Sequence, residues 1–279
     1  VKTLRSIVST QRFCLVAPKP LVIVPTMGAL HAGHAALLKR ARTLAGKKGT
    51  VVATLFVNPT QFGPNEDLSR YPRPFAKDQT LCRKLGVDLL FAPEANAMYA
   101  PDSSTWVDES QVSQGLCGGT RPGHFRGVCT VVLKLFQICQ PTMAVFGKKD
   151  FQQCAVIARM VRDLFLPVRL VFADTVREPD GLALSSRNAY LTPDERAQAV
   201  VLQDALQEAR TAFAAGQTSA IKLAKLIEKR VTSAPIARMD YIAIVDGSTL
   251  RPVKTVTAGS VAALAVFFGR TRLIDNLHF

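Results

Sequence analysis

Leu21-Val22-Ile23-Val24-Pro25-Thr26-Met27-Gly28-Ala29-Leu30-His31-Ala32-Gly33-His34 is the stretch that decides the fold of this chain. Its four leading apolar residues do not alternate with polar ones, so they predict a strand buried on both faces, as in a parallel sheet. Beyond it, Leu37, Leu38, Ala41, Leu44 and Ala45 recur at helical spacing, with Lys39, Arg40 and Arg42 between them. Two glycines and two of the chain's four histidines therefore fall where a strand gives way to a helix. Such a junction attracts phosphate, because unpaired backbone N–H groups and the helix dipole point at it. Gly28 and Gly33 would let the backbone come close to a ligand. His31 and His34 are spaced to share one face of the first helical turn. An imidazole there can donate to a phosphate that gains charge during reaction.

Outward from this junction, the chain repeats strand and helix. Thr50–Val57 is β-branched and predicts a second strand, which runs into Asn58-Pro59-Thr60-Gln61-Phe62. Ligands in open α/β sheets bind at the carboxyl ends of strands, so Asn58 and Gln61 are expected beside the histidines. Their amides suit the hydroxyl and carboxylate oxygens of a small polar substrate, although Asn58 before a proline is also an ordinary turn former. Gly63–Pro74 is polar, carries three prolines and reads as a loop able to cover the site. A helix over 75–85 and a strand over 88–93 follow. Gly119–Gly127 sets Arg121, His124 and Arg126 between glycines and reads as a site loop ahead of a buried helix over 128–139.

Met143–Phe146 predicts a further strand. It leads into Gly147-Lys148-Lys149-Asp150 and a helix through Leu164, so the first pattern returns: strand, glycine, cations, helix start. Lys149 can meet phosphate as a point charge, and Asp150 suits a first helical turn. Gln153 lies one turn on. After a strand over 168–173, Pro179-Asp180-Gly181 marks a turn. Ser185, Ser186 and Arg187 then offer hydroxyls and a guanidinium fork that suit a triphosphate. From Thr192 the texture changes to two amphipathic helices, over 193–215 and 218–232, and short strands near 239–245 and 261–267. The expected architecture is α/β: a parallel-sheet domain over 1–175 and a smaller α+β domain over 176–279.

Composition narrows the function classes. Thirty-five Lys and Arg against 21 Asp and Glu give a formal charge of +14, yet the basic residues form only pairs such as Lys47-Lys48. That argues for a diffuse surface excess rather than a nucleic-acid interface. No apolar run is long enough to span a bilayer, and Val1-Lys2-Thr3-Leu4-Arg5 lacks the form of a signal peptide. The six cysteines are scattered without a C-x-x-C pair, as expected of reduced thiols filling a cytosolic core.

The tetrapeptide His31-Ala32-Gly33-His34 resembles the H-x-G-H signature of the nucleotidyltransferase superfamily, whose members bind a nucleoside triphosphate on a Rossmann-like sheet. Pro25–His34, Phe56–Phe62, Arg121–Val128, Phe146–Gln153, Val176–Asn188 and Arg272–Asn276, in this order, resemble the pantothenate synthetase (pantoate–β-alanine ligase) family. The resemblance implies a Rossmann-like domain with a C-terminal lid domain, and a cytoplasmic homodimer without nucleic-acid or membrane partners. It implies ATP- and Mg²⁺-dependent joining of (R)-pantoate to β-alanine, with AMP and diphosphate released through a pantoyl-adenylate. Carried over residue by residue, Met27, Gly28, Ala29, Leu30, His31, Ala32, Gly33 and His34 would line ATP. So would Gly147, Lys148, Lys149, Asp150, Val176, Leu184, Ser185, Ser186 and Arg187. His34, with His31 and Lys149, would serve catalysis. Gln61, Gln153 and Asn58 would hold pantoate, Gln61 also β-alanine, and Asp78 would help hold Mg²⁺. The chain departs from the family pattern at Ala32 and Lys148, where acidic residues are common. Two other readings stay open on the residues: a different H-x-G-H nucleotidyltransferase, and a basic RNA-binding protein on a degenerate nucleotide fold.

Overall fold

A computed structural model describes residues 1–64 and 66–279; Asn65, within the loop expected to cover the site, lies outside the described residues. The chain begins with β1 (Lys2–Leu4) and α1 (Ile7–Val16), then β2 (Leu21–Val24), α2 (Ala32–Ala45) and β3 (Thr50–Thr54). After α3 (Phe75–Lys84) and β4 (Leu89–Phe91) come the short α4 (Ala95–Met98) and α5 (Leu116–Thr120). The long α6 (His124–Cys139) leads to β5 (Met143–Gly147), α7 (Phe151–Asp163) and β6 (Arg169–Ala173). These six strands form one parallel sheet in the order β1-β4-β3-β2-β5-β6.

The order explains where a site must lie. From β2 the chain builds outward to one side through β3 and β4, then crosses to the other side with β5 and β6. The carboxyl ends of β2 and β5 therefore open a crevice at the switch point, the usual ligand position in such sheets. All four β2 residues are fully buried, because both faces of the sheet are covered. On one face α1, α6 and α7 pack around Phe91, Leu135, Phe136 and Ile157. On the other, α2 and α3 pack around Leu38, Ala41 and Cys82.

The rest of the chain holds α8 (Pro193–Ala199), α9 (Val201–Ala214), α10 (Ala220–Thr232) and an antiparallel sheet of β7 (Ala237–Asp246), β8 (Ser260–Phe268) and β9 (Thr271–His278). Its own core gathers Leu202, Leu206, Leu223, Ile227 and Phe268. Val245, Leu250 and Val261 join the first core instead, so the two parts share an apolar contact. Thr192 opens α8 with a capping box: its hydroxyl accepts from Glu195 N–H while the Glu195 carboxylate accepts from Thr192 N–H.

Four expectations need correction. The first 20 residues, whose sequence reads as a short helix or loop before the first strand, contain β1 as well as α1; three residues are too few to show a period. The second strand ends at Thr54, because Thr26 N–H donates to Thr54 Oγ1 and the Thr54 carbonyl accepts from Thr26 Oγ1, so side chains interrupt the backbone ladder to β2. The helix expected over 193–215 is two helices joined at Val200, which stays in the helical region. The last strand, β9, has no counterpart among the expected strands: Asp275 and Asn276, buried on its opposite faces, break the apolar pattern. The six cysteines are free and buried, as expected.

Candidate active site

At the β2–α2 junction the backbone is locked from within. Thr26 N–H donates to Thr54 Oγ1 at 3.1 Å, and Gly28 N–H to Thr26 Oγ1 at 3.2 Å. Gly28 and Ala29 then take the left-handed conformation, at φ +89° and +51°, which is costly for an alanine and needs an outside hold. Asp78, buried on α3, supplies it: its two oxygens accept from Ala29 N–H and Leu30 N–H, each at 2.8 Å. Burial pushes the Asp78 carboxyl up, against the pull of those two N–H groups.

The two histidine rings lie side by side, as the spacing suggests, with centroids 4.2 Å apart. His31 lies outside α2 as its N-cap, and His34 is the third helical residue. His31 Nδ1 accepts from Gly33 N–H at 3.1 Å, and His34 Nδ1 accepts from His31 N–H at 3.4 Å, so two imidazoles build a capping box. Because both Nδ1 atoms accept, each neutral ring carries its proton on Nε2, free to donate to a ligand. Burial, with Lys149 adding repulsion, lowers His31 to about 4. Burial, then His31 and Lys149, lowers His34 to about 3. Both rings are therefore neutral donors at pH 7. Gly33 has no room for a side chain, since a Cβ would lie 2.8 Å from His31 Cε1; the close approach belongs to the His31 ring rather than to a ligand.

This changes the phosphate expectation. The N–H groups of Gly28, Ala29, Leu30, His31 and Gly33 already have partners. Met27, His31, Gly33 and His34 line an inner cavity of about 240 Å³, whereas Gly28, Ala29, Leu30 and Ala32 are not on its wall. Asp78 is not on it either. With both oxygens engaged, it does not fit a Mg²⁺ ligand, and among the described residues no three His, Cys, Asp or Glu side chains are grouped to hold a metal ion.

Beyond β3, Asn58 is buried and fully partnered. Its Nδ2 donates to Gln61 Oε1 at 3.3 Å and to the Gly127 carbonyl at 3.1 Å, while its Oδ1 accepts from Thr60 at 3.0 Å and Tyr99 at 2.9 Å. Asn58 thus has no hydrogen-bonding capacity left for pantoate; it orients Gln61. Both residues line the inner cavity, and Gln61 Nε2 has only the weak Met27 sulfur acceptor, at 3.3 Å.

The β5–α7 junction faces the same cavity. Gly147, Lys149, Asp150 and Gln153 line it, as do Val176, Leu184, Ser185, Ser186 and Arg187. Leu184 N–H bonds the Val176 carbonyl at 3.0 Å, which folds the serine turn back over the crevice. Lys148 points elsewhere, to an exposed ion pair with Asp174 at 2.7 Å. A residue that sequence reasoning missed holds this junction: Asn276 of β9 donates from Nδ2 to the carbonyls of Lys148 and Lys149, at 3.0 and 2.9 Å. Its neighbour Asp275 pairs with Arg177 through both oxygens, at 2.6 and 2.9 Å. The loop acids were missed too: Asp67 holds Arg187 at 3.2 and 2.9 Å, and Glu66 holds Arg121. A larger outer cavity, about 980 Å³, lies between the two parts of the chain and shares Lys149, Gln153, Ser185 and Arg187 with the inner one.

A family model described as pantoate-beta-alanine ligase matches residues 1–278. The chain belongs to the pantoate–β-alanine ligase family. Among curated relatives, the pantothenate synthetase of Akkermansia muciniphila is 52% identical over 92% of this chain and 91% of its own. That of Thermotoga neapolitana is 50% identical, with the same two coverages. The solved pantothenate synthetase of Thermus thermophilus superposes with a TM-score of 0.94 at 45% identity, over 100% of this chain and 99% of its own. The Francisella tularensis pantoate-beta-alanine ligase, solved with beta-gamma ATP and beta-alanine, gives 0.81 at 32% identity, over 100% and 97%. The family also carries the Rossmann-like fold and the smaller antiparallel unit described above.

Proposed function

We infer that the chain joins (R)-pantoate to β-alanine through a pantoyl-adenylate, in the crevice between the carboxyl ends of β2 and β5. The ATP-dependent ligation is the activity of the family to which it belongs. One observation carries the assignment of roles. The side-chain amides of Gln61 and Gln153 and the donors of His31, His34, Lys149, Ser185, Ser186 and Arg187 line one inner cavity.

In the first step a pantoate carboxylate oxygen attacks the α-phosphorus, and the bond to diphosphate breaks. Negative charge gathers on the α-phosphate oxygens. His31 and His34 meet it as neutral Nε2–H donors and Lys149 as a fixed cation. His34, held near 3, is suited to stabilise charge rather than to deliver a proton. Arg187 reaches the triphosphate by sharing or exchanging its Asp67 partner. Gln61 and Gln153 orient the hydroxy acid so that its carboxylate lies in line. In the second step the deprotonated amine of β-alanine, also beside Gln61, forms the carbon–nitrogen bond at the acyl carbon, and AMP leaves. The site must exclude water from the mixed anhydride in between. The loop over 63–74 and the C-terminal part, taken as a lid domain over 176–279 beside a domain over 1–175, serve that end.

Mg²⁺ is proposed to enter with the nucleotide, on phosphate oxygens. Among the described residues no donor set fits a protein-held ion, so no step runs through it. A homodimer and a cytoplasmic location belong to the same proposal; no helix among the described residues is long and apolar enough to cross a membrane. Sedimentation tests the dimer. Mass spectrometry of the products from ATP, pantoate and β-alanine tests the reaction. Pantothenate, AMP and diphosphate in equal amounts are expected, and ADP with phosphate would contradict the mechanism.

A further inference from the structure

The turn Pro59–Gln61 is three residues long and lies outside both sheets, so side chains must hold it. They come from the start of α6 and from the loop before α3. The Gln61 carbonyl accepts from Arg121 Nη2 at 3.3 Å, and His124 Nδ1 lies 2.8 Å from it. Arg121 also donates from Nε and Nη2 to the two Glu66 oxygens, both at 2.6 Å, and its Nη1 lies 3.0 Å from His124 Nε2.

These contacts fix the histidine's tautomer. A guanidinium only donates, so His124 Nε2 accepts, and the proton sits on Nδ1, donating to Gln61. Burial first, and then the Arg121 charge, lowers His124 to about 4, so the ring stays neutral at working pH. Burial pushes the Glu66 carboxyl up, while Arg121, by hydrogen bond and charge, brings it below its usual value. Gly127, one turn along α6, completes the seat: a Cβ there would lie 2.5 Å from the Thr60 carbonyl oxygen and 2.8 Å from Gln61 N. The turn and the helix are in backbone contact.

We propose that Glu66, Arg121 and His124 form a positioning relay that fixes Gln61 and ties the pantoate subsite to the loop over 63–74. The proposal rests on the reading that Gln61 holds pantoate. Arg121 and His124 reach the wall of the inner cavity beside Gln61, but their polar atoms are turned to Glu66, Gln61 and each other. His124 is buried with both ring nitrogens engaged. Glu66 is the point where the loop enters the relay. When it leaves Arg121, the guanidinium gains freedom, His124 Nε2 loses a fixed donor, and the Gln61 carbonyl loses its geometry. Asp67, the next residue, grips Arg187 on the triphosphate side. One loop thereby contacts both the acid and the nucleotide groups.

The test is a set of steady-state measurements on the full chain, varying pantoate and ATP separately. His124→Ala should raise the pantoate KM about tenfold, as expected for one lost buried hydrogen bond, and leave the ATP KM within about twofold. His124→Asn keeps an N–H at the Nδ1 position and should restore most of the pantoate KM; a merely structural histidine would show no such rescue. Glu66→Gln should raise the pantoate KM about threefold with the ATP KM unchanged. Gln61→Ala runs in parallel. If Gln61→Ala raises the pantoate KM but His124→Ala and Glu66→Gln do not, the relay is overturned and the pantoate reading stands. If Gln61→Ala leaves the pantoate KM unchanged, the reading falls and the relay with it. Equal losses in both KM values and in melting temperature for His124→Ala and His124→Asn would overturn the relay by showing a fold defect. Should His124→Ala fail to fold, Glu66→Gln on the loop decides: an unchanged pantoate KM overturns the proposal.

Discussion

At the β2–α2 junction, Asp78, His31 and His34 take up the backbone amides, all from the same parallel-sheet part of the chain. At the β5–α7 junction, the carbonyls of Lys148 and Lys149 are held by Asn276, from the other part of the chain. Both junctions follow a buried strand, carry a glycine and present their cationic or imidazole groups to one cavity. The difference lies in what fixes them. The histidine donors are preset by local contacts and stay in place whatever the C-terminal part does. The Lys149 backbone is held by a direct contact between the two parts of the chain, so the position of its charge is tied to the C-terminal part. A preorganised donor lowers the cost of reorganisation during reaction, whereas a donor held across a cleft can be brought in with the substrate.

The comparison breaks most sharply at His34. His34→Ala is expected to fold and to lose roughly 10²–10³ in turnover, the usual effect of removing one preorganised donor. Near-normal turnover in the folded variant would remove His34 from the chemical step. A pH experiment examines the same preset donors without mutation. His31, His34 and His124 are held at about 4, 3 and 4, chiefly by burial, against 6.5 for a free imidazole. Below pH 6.5 the unfolded chain binds protons that the folded chain refuses, so stability falls as pH drops from 6.5 toward about 4. Each buried histidine contributes up to about 1.4 kcal/mol per pH unit in that window. Unfolding calorimetry at pH 5 should show an uptake approaching about three protons, and equal stability at pH 7 and 5 would contradict neutral, buried rings.

Asp78→Asn sharpens the first half of the comparison. An amide has one acceptor where the carboxylate has two, so either Ala29 or Leu30 N–H would face an NH₂ group, at a cost of about 1–3 kcal/mol in stability. A melting temperature equal to that of the parent chain would show that the carboxylate does not hold the turn. Asn276→Ala addresses the second half with a smaller expected effect. The apparent ATP affinity should fall about tenfold, near 1.4 kcal/mol, with the melting temperature little changed. An unchanged ATP KM would mean that Lys149 does not depend on the C-terminal part.

The strand–histidine–helix junction is legible in the sequence because its signals are local: an apolar run, two glycines, two histidines and a periodic helix within 25 residues. The second junction is legible for the same reason. Long-range partners are not. Asp78 sits in an ordinary helical pattern, and only the fold brings its carboxylate to Ala29 and Leu30. Asn58 reads as a substrate ligand because amides at a strand end suit one; its four partners come from Thr60, Gln61, Tyr99 and Gly127, partly from distant helices. β9 stays hidden because the residues that join the two parts, Asp275 and Asn276, are polar where a strand reading requires apolar ones. The roles of individual arginines are likewise illegible, because the acids they pair with are distant in sequence, as in Arg187–Asp67, Arg121–Glu66 and Arg177–Asp275.

The central claim is that the acid is activated before the amine enters, on donors that are in place without β-alanine. Exchange of labelled diphosphate into ATP measures this directly. With ATP and pantoate alone, label should enter ATP, and a quench should yield pantoyl-adenylate. Omitting pantoate should abolish the exchange, because no carboxylate remains to attack the α-phosphorus. Exchange that strictly requires β-alanine would contradict the two-step account and indicate a single complex in which the amine is present before any bond breaks.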